Sequence, residues 1–564
     1  PGFEAAEADV VQSVLDEAGR FGNEVLAPLN VEGDRNGARL DGEDVRETPG
    51  FADAYRQFVE SGWNALPFNE SIGGSGLPAA VSFAVSEIWQ SANMSFSLCP
   101  MLTQAGVEAL EFHGTEEQQR VYLPKLVSGE WAGTMDLTEP QAGSDLAALR
   151  CKAVPDGDRY RLSGQKIYIT WGDHQMTDNI IHMVLARIED APEGVKGISL
   201  FLVPKFLVNE DGSLGERNDM RPVSLEHKMG IHASPTCVMS FGENDGAIGY
   251  LVGEANNGLA CMFTMMNNAR LVVGVQGAGI AERAYQRAVS YANDRVQGQA
   301  PGSADRVTII HHPDVRRMLM LMKSQCEAMR ALCIVAGGTM DRARNHPDEA
   351  VRQQQQARLD LLVPAVKGWC TEQAQEVVSL AVQVHGGMGY VEETGAAQHF
   401  RDARIATIYE GTTGIQAQDL ARRKVQRDGG RAMTEMIREI RQTVQEVADI
   451  GEFSTIERNL RLAVDALESV TSYLLSADDP NEAGAASYNL LMLSGTTVAG
   501  WLMAQGALIA RERLNAGASG SDFYRSKMVT ARFFAEHVLV RARGYAEAAM
   551  AGGETTMALA ADQF

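Results

Sequence analysis

The residues best suited to chemistry surround Glu410, in the segment Ile408-Tyr409-Glu410-Gly411-Thr412. The carboxylate stands between an aromatic residue and a glycine, and an apolar run precedes it. A poorly hydrated setting raises the pKa of a carboxylate towards the range in which it works as a general base. A solvated surface glutamate is the alternative for any single Glu, and this segment by itself leaves both interpretations open.

Three other segments combine small, hydroxyl-bearing and aromatic residues. Residues 137–145 read LTEPQAGSD; their small side chains let backbone amides approach a flat or phosphorylated ligand, and an ordinary turn is the alternative. Residues 166–172 read KIYITWG at the end of a predicted strand, where alternation places Tyr168 and Thr170 on one face, apart from Ile167 and Ile169. Residues 383–390 read QVHGGMGY, whose glycines permit close backbone approach or simply end a helix.

Several common catalytic motifs are absent from the sequence. It contains no P-loop, no HExxH and no GxSxG, and its eleven histidines show no metal-ligand spacing. Gly274, Gly277 and Gly279 lie within a helical pattern and follow no strand, so they predict close helix packing instead of dinucleotide binding. We therefore expect no metal site.

Composition excludes other classes of protein. The 564 residues include 50 Lys+Arg and 73 Asp+Glu, and the net charge of −23 argues against a nucleic-acid partner. The seven cysteines are scattered and never occur as CxxC, so a reduced, cytoplasmic setting is predicted.

Residues 483–510 carry no charged side chain and are numerous enough to span a bilayer. Ser, Asn, Thr, Gln and several glycines interrupt this run, and its flanks, Glu482 and Arg511, provide no orientation signal. The polar content favours a buried helix or helix pair over a membrane span. We therefore expect no integral membrane segment.

Hydrophobic periodicity changes along the chain and predicts a mainly α fold with a central antiparallel β domain. Helical spacing dominates residues 1–130, short strand-like runs follow in 131–250, and helical spacing returns in 251–425. Residues 426–564 are also helical and form an additional domain. That extension carries 13 basic and 18 acidic residues, a net charge of −5.

In this order and at these separations, the four segments resemble those of the acyl-CoA dehydrogenase family of flavoproteins, over roughly residues 10–424. The resemblance implies a helical domain, a β domain and a helical bundle, with FAD as cofactor. It also implies that a carboxylate removes the α-proton of a saturated acyl-CoA while the β-hydrogen passes as hydride to flavin, which yields a trans-2-enoyl-CoA. Glu410 matches the usual base, and the family's other base position is Ala269 here, which cannot serve.

The resemblance also implies site residues. Flavin contacts from the same subunit are expected from Met135, Leu137, Thr138, Gly143, Ser144, Tyr168, Ile169, Thr170 and Thr412. Contacts from a neighbouring subunit are expected from Arg295, Gln383, Gly386 and Gly387. Substrate contacts are expected from Ser144, Phe263, Met266, Asn267, Arg270, Glu410 and Gly411.

The sequence departs from the family pattern at some of these positions. Arg295-Val296-Gln297-Gly298 is one residue shorter than the family's Arg-x-x-x-Phe-Gly and lacks the Phe, and Tyr168 stands where most relatives carry Trp. A structural salt bridge is the alternative role for Arg270. Met262 and Met265 flank the pocket residues, where a sulfur-bearing acyl chain and plain core packing are both compatible with a methionine-rich run.

The extension resembles a long bacterial branch of the family that includes 3-methylmercaptopropionyl-CoA dehydrogenases. The expected substrate is therefore 3-methylmercaptopropionyl-CoA or another short- or medium-chain acyl-CoA, which suggests a role in dimethylsulfoniopropionate degradation. An electron-transfer flavoprotein is the expected acceptor, and a homodimer or homotetramer is the expected assembly. The alternatives are an acyl-CoA oxidase that uses oxygen and a DNA-binding family member, which the acidic extension opposes.

Overall fold

The computed structural model describes Phe3 and residues 6–564. The chain divides into two compact units, one extending to Ala269 and one formed by Arg270–Phe564. The four domain ranges inferred from periodicity stay a prediction, because the division into two units is a coarser one.

The first unit begins with helices whose apolar faces form a core rich in aromatic rings. Its helices are α1 Ala8–Phe21, α2 Ala27–Asn36, α3 Phe51–Glu60, α4 Ala79–Ala92, α5 Met94–His113 and α6 Glu116–Ser128. The Thr115 side chain accepts from the Gln118 N–H, and the Gln118 side chain accepts from the Thr115 N–H, which closes a capping box at the start of α6.

An eight-stranded sheet follows these helices, and two short hairpins lie outside it. The strands are β1 Arg39–Asp41, β2 Asp44–Arg46, β3 Trp131–Asp136, β4 Lys152–Asp156, β5 Arg159–Thr170, β6 Asn179–Ile188, β7 Ile198–Pro204, β8 Phe206–Val208, β9 Leu214–Arg217, β10 Met220–Leu225, β11 Thr236–Phe241 and β12 Ala247–Val252. The order in the large sheet is β10-β11-β5-β12-β7-β6-β3, and β4 pairs with β5 and β6.

Most neighbouring strands in the large sheet are antiparallel, as predicted for the central domain. The exceptions are β3 and β4, each of which pairs with β6 in parallel. β7 is buried along its whole length, and β6 along its first eight residues, so both are covered on both faces instead of alternating between buried and exposed residues. This explains why the period-two pattern is weak in the middle of the sheet.

The second unit is helical throughout its described residues, apart from its loops. Helix α7, Gly258–Asp294, contains the division between the units. The later helices are α8 Pro313–Asn345, α9 Glu349–Pro364, α10 Cys370–His385, α11 Ala396–Ala403, α12 Thr413–Gln418, α13 Arg431–Ala448, α14 Ser454–Ser476, α15 Pro480–Asn515, α16 Ser521–His537 and α17 Ala542–Ala549. A π-helical turn, Ala365–Trp369, joins α9 to α10.

The uncharged run 483–510 lies within the single helix α15, and most of its side chains are buried. α15 packs against α14, α16 and α17 of the extension and against α8 and α12 of the bundle. The prediction of a buried helix is therefore confirmed. By length and composition, α7 is the one helix among the described residues that is apolar enough to cross a membrane, and 67% of its most apolar window is buried.

The glycines of α7 allow close helix packing, as the sequence predicted. A Cβ at Gly274 would lie 2.3 Å from Val366 Cγ1 and 2.7 Å from the Val366 carbonyl oxygen. A Cβ at Gly277 would lie 3.0 Å from the Cys370 carbonyl oxygen. Both contacts bring α7 against the π-turn and the start of α10.

We expect Gly274→Ala to lower the free energy of unfolding by about 1–3 kcal/mol, because the new methyl group meets backbone as well as side chain. Gly338→Ala is the matched control on α8, since no atom lies within 4 Å of its added Cβ. The control is expected to raise stability by up to about 1 kcal/mol through helix propensity. Urea denaturation of both variants measures the difference, and equal midpoints would contradict the packing argument.

All seven cysteines are free and buried. Burial raises the pKa of Cys151 to about 11 and that of Cys237 to about 12. These thiols therefore stay protonated and unreactive at neutral pH. Among the described residues, no group of three or more His, Cys, Asp or Glu side chains is placed to hold a metal ion.

Candidate active site

In the first unit, three hydrogen bonds hold β3 and the loop after it beside the end of β5. The Ile167 N–H donates to the Thr138 carbonyl over 2.9 Å, and Lys166 Nζ donates to the Leu137 carbonyl over 3.1 Å. The Thr134 hydroxyl donates to the Thr170 carbonyl over 2.7 Å. Two segments that sequence analysis selected separately, 137–145 and 166–172, are thus brought together.

A buried ion pair between Lys166 and Glu139 anchors this loop. Lys166 Nζ lies 2.8 Å from Glu139 Oε1, and the two side chains are 0% and 4% exposed. The Glu139 carboxylate also accepts the backbone N–H groups of Arg150 at 2.7 Å and Cys151 at 3.0 Å. Burial raises the pKa of Glu139, but Lys166 and the two N–H donors outweigh it and hold the pKa below its usual value.

The end of β5 carries a bulge that sequence reasoning did not foresee. Strand β11 places Cys237 opposite Ile169 and Met239 opposite Lys166, so Ile167 and Tyr168 together face one residue. Tyr168 has a φ of +61° and is 59% exposed. The bulge interrupts the predicted alternation between Ile167 and Tyr168, whereas Tyr168 is exposed, Ile169 buried and Thr170 half-buried, as alternation predicts. A positive φ on an aromatic residue is strained, and such strain concentrates at functional sites.

The remaining predicted flavin residues differ in exposure. Thr138 and Thr170 are half-buried and Ser144 is exposed; within the described part of the chain, none of their hydroxyls has a hydrogen-bond partner. Gly143 is exposed, with no atom near its added Cβ. Leu137 is half-buried, whereas Met135 and Ile169 lie in the core at 9% and 1% exposure.

This set fits the edge of an isoalloxazine ring. It offers an exposed aromatic side chain, three uncommitted hydroxyls and a loop position with room beside its backbone. Ile169, at 1% exposure, contributes no surface to this set.

In the second unit, Glu410 occupies a strained position directly before Gly411 and the cap of α12. Glu410 has a φ of +55° and Gly411 one of +88°. Arg270 Nε and Gln416 Nε2 each donate to the Glu410 carbonyl over 3.3 Å. The Thr412 side chain accepts from the Ile415 N–H and begins α12, so its hydroxyl already serves as a helix cap.

These bonds fix the Glu410 backbone while its side chain stays half-buried. Within the described residues, the backbone N–H of Glu410 has no hydrogen-bond partner. The neighbouring Tyr409 hydroxyl hydrogen-bonds the Gln276 side chain on α7. A free backbone donor therefore stands on the same residue as the candidate base.

Burial raises the pKa of Glu410 to about 6, although the positive charges of Arg270 and Lys367 oppose the shift. Burial lowers the pKa of Arg270, and Asp419 and Glu410 counter that shift. A carboxyl group with a pKa near 6 is ionised at neutral pH and still basic enough to take a proton. This is the electrostatic setting that the sequence predicted for Glu410.

A pH profile follows from this value. Glu410 must be ionised to act as a base, so kcat/KM is expected to fall about tenfold per pH unit below about pH 6. Steady-state turnover of a saturated acyl-CoA at several pH values measures this fall, which is the acidic limb of the pH profile. The absorbance of the bound flavin is the control for an intact protein. A profile that stays level to about pH 5 would contradict a raised pKa.

The residues predicted to serve a neighbouring subunit lie on the surface of the second unit. Arg295, Gln383, Gly386 and Gly387 are all exposed. The Tyr291 ring stacks on His385 with centroids 4.4 Å apart, which brings the end of α7 beside the 386–390 loop. Gly386 has a φ of +62°, so a side chain there would be strained.

The predicted pocket residues on α7 divide into two kinds. Phe263 and Met266 are half-buried and Asn267 is exposed, whereas Met262 and Met265 are fully buried. Core packing therefore accounts for Met262 and Met265, and of these three methionines Met266 alone has the exposure that a substrate contact requires. Arg270 is 5% exposed, and its Nε donates to the backbone carbonyl of Glu410.

Sequence reasoning missed four polar residues around Glu410, which are Gln276, Lys367, Glu372 and Gln416. Glu372 accepts the Thr413 hydroxyl over 2.6 Å, and Gln416 supports the Glu410 carbonyl. Lys367 left one signal, because it is the lone charge in the apolar run LLVPAVKGWC. The amides left none, since amides are frequent on any helix.

The chain matches four acyl-CoA dehydrogenase domain descriptions along nearly its whole length. Residues 9–130 match the N-terminal domain, 134–243 the middle domain and 256–425 the C-terminal domain. Residues 436–560 match an acetyl-CoA dehydrogenase C-terminal-like domain. The protein belongs to the acyl-CoA dehydrogenase family and is an FAD-dependent oxidoreductase.

Individual relatives cover almost the same span. A 3-methylmercaptopropionyl-CoA dehydrogenase of Ruegeria pomeroyi is 51% identical over 95% of this chain and 92% of its own length. The broad-specificity linear acyl-CoA dehydrogenase FadE5 of Mycobacterium tuberculosis is 37% identical over 95% of this chain and 91% of its own. The FAD-complexed acyl-CoA dehydrogenase structure from Bacillus anthracis shares the fold, with a TM-score of 0.76, 21% identity and coverage of 97% and 89%.

Proposed function

We propose that this protein oxidises a short, saturated acyl-CoA at the α,β-bond, with Glu410 as the base and 3-methylmercaptopropionyl-CoA as the preferred substrate. The observation that carries the proposal is the Glu410 residue itself. Its half-buried carboxylate has a pKa raised to about 6, and its own backbone N–H is uncommitted within the described chain.

Both groups of Glu410 have a task in the reaction. The carboxylate takes the α-proton of the thioester, and the electron pair left behind builds up on the thioester oxygen. The unpaired Glu410 N–H donates to that oxygen and stabilises the developing negative charge, as an oxyanion-hole donor does. Arg270 and Gln416 hold the carbonyl of the same residue, so the donor and the base keep a fixed relation.

FAD, when bound, would supply the acceptor for the β-hydrogen as hydride, and the electron pair of the broken α-C–H bond would become the α,β-double bond of the enoyl-CoA. The residues that would hold the flavin edge are Thr138, Ser144 and Thr170 through their hydroxyls and Tyr168 through its exposed ring. Leu137 and Gly143 complete this surface, and Met135, Ile169 and Thr412 stay predicted flavin residues.

The substrate proposal is supported by the Ruegeria pomeroyi relative, which shares 51% identity over 95% of this chain. Met266 and Phe263 are the half-buried residues of α7 proposed to contact the acyl chain, with Asn267 and Arg270 nearby on the same helix. A thioether in the substrate suits a methionine and an aromatic ring, since sulfur packs favourably with both. This substrate would place the enzyme in dimethylsulfoniopropionate degradation.

We also propose a cytoplasmic homodimer or homotetramer that passes its electrons to an electron-transfer flavoprotein. The support for self-association is the exposure of Arg295, Gln383, Gly386 and Gly387 beside Tyr390, which is 89% exposed. A second copy of the chain would bury these residues against its own flavin.

Anaerobic reduction of the bound flavin tests the substrate. Loss of the flavin absorbance is followed with 3-methylmercaptopropionyl-CoA, butyryl-CoA and octanoyl-CoA, and kcat/KM is then measured with an electron-transfer flavoprotein. The highest kcat/KM is expected for 3-methylmercaptopropionyl-CoA. A preference for octanoyl-CoA would contradict the substrate, and rapid hydrogen peroxide production without any other acceptor would establish an oxidase instead.

A further inference from the structure

Lys367 is a buried cation for which the fold alone offers no reason. It lies at the centre of the π-turn Ala365–Trp369 and is 0% exposed. Within the described part of the chain, its Nζ has no hydrogen-bond partner. Burying an ammonium group without an acceptor costs folding free energy, and an apolar side chain of similar size would avoid that cost.

The charges that face Lys367 belong to the candidate active site. Lys367 interacts electrostatically with Glu410, Arg270 and Glu372. Burial lowers the pKa of Lys367, Glu410 and Glu372 oppose this shift and Arg270 adds to it, so that the pKa is about 7. Two further charges act on Arg270: Asp419 raises its pKa and Arg423 lowers it. Two cations, Arg270 and Lys367, thus act on the Glu410 carboxylate.

The π-turn that carries Lys367 is clamped from two sides. On one side, α7 packs Gly274 against Val366, one residue before Lys367. On the other side, α15 of the C-terminal extension packs against the turn: a Cβ at Gly368 would lie 2.5 Å from Leu491 Cδ2. The residues of α15 that contact the turn are uncharged, so they fix its position without competing electrostatically.

A hydrogen bond donated to the extension also holds the end of the turn. Trp369 Nε1 donates to the Thr496 hydroxyl over 3.0 Å, and both residues are buried. A Cβ at Gly495 would lie 2.3 Å from the Trp369 ring, so the helix approaches the indole as closely as a glycine permits. π-Helical turns are rare and frequent at functional sites. Pro364, which lacks an N–H, directly precedes this one.

We propose that Lys367 is a positioning residue that keeps Glu410 ionised, and that helix α15 of the extension holds it in place for that purpose. The inference rests on the proposed function, because it assigns Lys367 to a base that is itself proposed. It gives the extension a role in the chemistry, because α15 supports the π-turn Ala365–Trp369 that carries Lys367.

Lys367→Met tests the electrostatic part. Near pH 6 the ammonium of Lys367 is protonated, so its removal is expected to raise the pH at which activity falls by about one unit. The pKa of the Glu410 carboxyl group, read from infrared difference spectra, should rise by the same amount. Lys367→Arg should return both the pKa and the acidic limb most of the way to their values in the parent protein. Lys152→Met, an exposed lysine on β4, is the control and should leave the limb in place.

Thermal unfolding separates this role from a structural one. Lys367→Met is expected to raise the Tm, because it removes a buried ammonium group whose Nζ has no hydrogen-bond partner among the described residues. A lower Tm, or activity reduced equally at every pH with the infrared titration unmoved, would overturn the proposal. If Glu410→Gln is inactive but Lys367→Met leaves the acidic limb unmoved, the role of Lys367 is refuted and Glu410 remains the proposed base. If Glu410→Gln is active, the proposed base fails.

Thr496→Val tests the support from α15. It removes the acceptor of the Trp369 indole, so the acidic limb is expected to move in the same direction as in Lys367→Met, by a smaller amount. Ser494→Ala is the matched control, since Ser494 is buried on the same helix and its hydroxyl has no partner among the described residues. An unmoved limb in Thr496→Val, with bound flavin retained, would overturn the role of the extension.

Discussion

Glu410→Gln is expected to lower kcat by at least about a hundredfold while the protein stays folded, yellow and able to bind acyl-CoA. Glutamine keeps the size of the side chain and removes its ability to accept the α-proton. The backbone of residue 410 should be unaffected, because Arg270 and Gln416 bind its carbonyl oxygen and not its carboxylate.

Anaerobic single-turnover absorbance measures this loss directly, and the flavin spectrum shows whether the substrate still binds. Glu446→Gln on the exposed surface of α13 is the control and should behave as the parent does. Turnover of Glu410→Gln within a few fold of the parent would refute the base assignment. A colourless variant would instead show that Glu410 has a structural role.

Lys166→Met is expected to lower the free energy of unfolding by about 3–5 kcal/mol, because it leaves the buried Glu139 carboxylate without its cation. It should also weaken FAD binding. The loop 137–145 loses the Lys166 bond to the Leu137 carbonyl, and the Glu139 carboxylate that anchors it becomes unstable in its buried position.

Urea denaturation and FAD release measure the two effects separately. The matched control is Glu243→Gln, which breaks the exposed Arg221–Glu243 pair at 2.9 Å in the same sheet. An exposed pair contributes at most about 1 kcal/mol, so this control should change little. Equal destabilisation by the two variants would show that the buried pair has no special importance.

Local rules were sufficient where the signal is local. Thr115 and Gln118 form the capping box that their spacing predicts, and Asp479 and Gly430 stand directly before α15 and α13. Gly274 and Gly277 pack against another part of the chain, as glycines within a helical pattern suggest. These features depend on the chemistry of a few neighbouring residues, which is why the sequence alone was informative.

Tyr168 and Lys367 mark the limits of this reasoning. The bulge at Tyr168 exists only in the pairing of β5 with β11, so no pattern within β5 reveals it. The proximity of Lys367 to Glu410 depends on how α7, α12 and α15 pack around one π-turn. The methionines of α7 pose the same difficulty, since their burial is set by neighbouring helices and not by their spacing.

The buried cysteines have a practical consequence for studying how this protein opens. Four of them, Cys99, Cys151, Cys237 and Cys261, lie in the first unit, and Cys326, Cys333 and Cys370 lie in the second. Each thiol becomes available to an alkylating reagent only when its surroundings unfold. Pulsed alkylation followed by peptide mass mapping would therefore report which unit loses its structure first, with no engineered label.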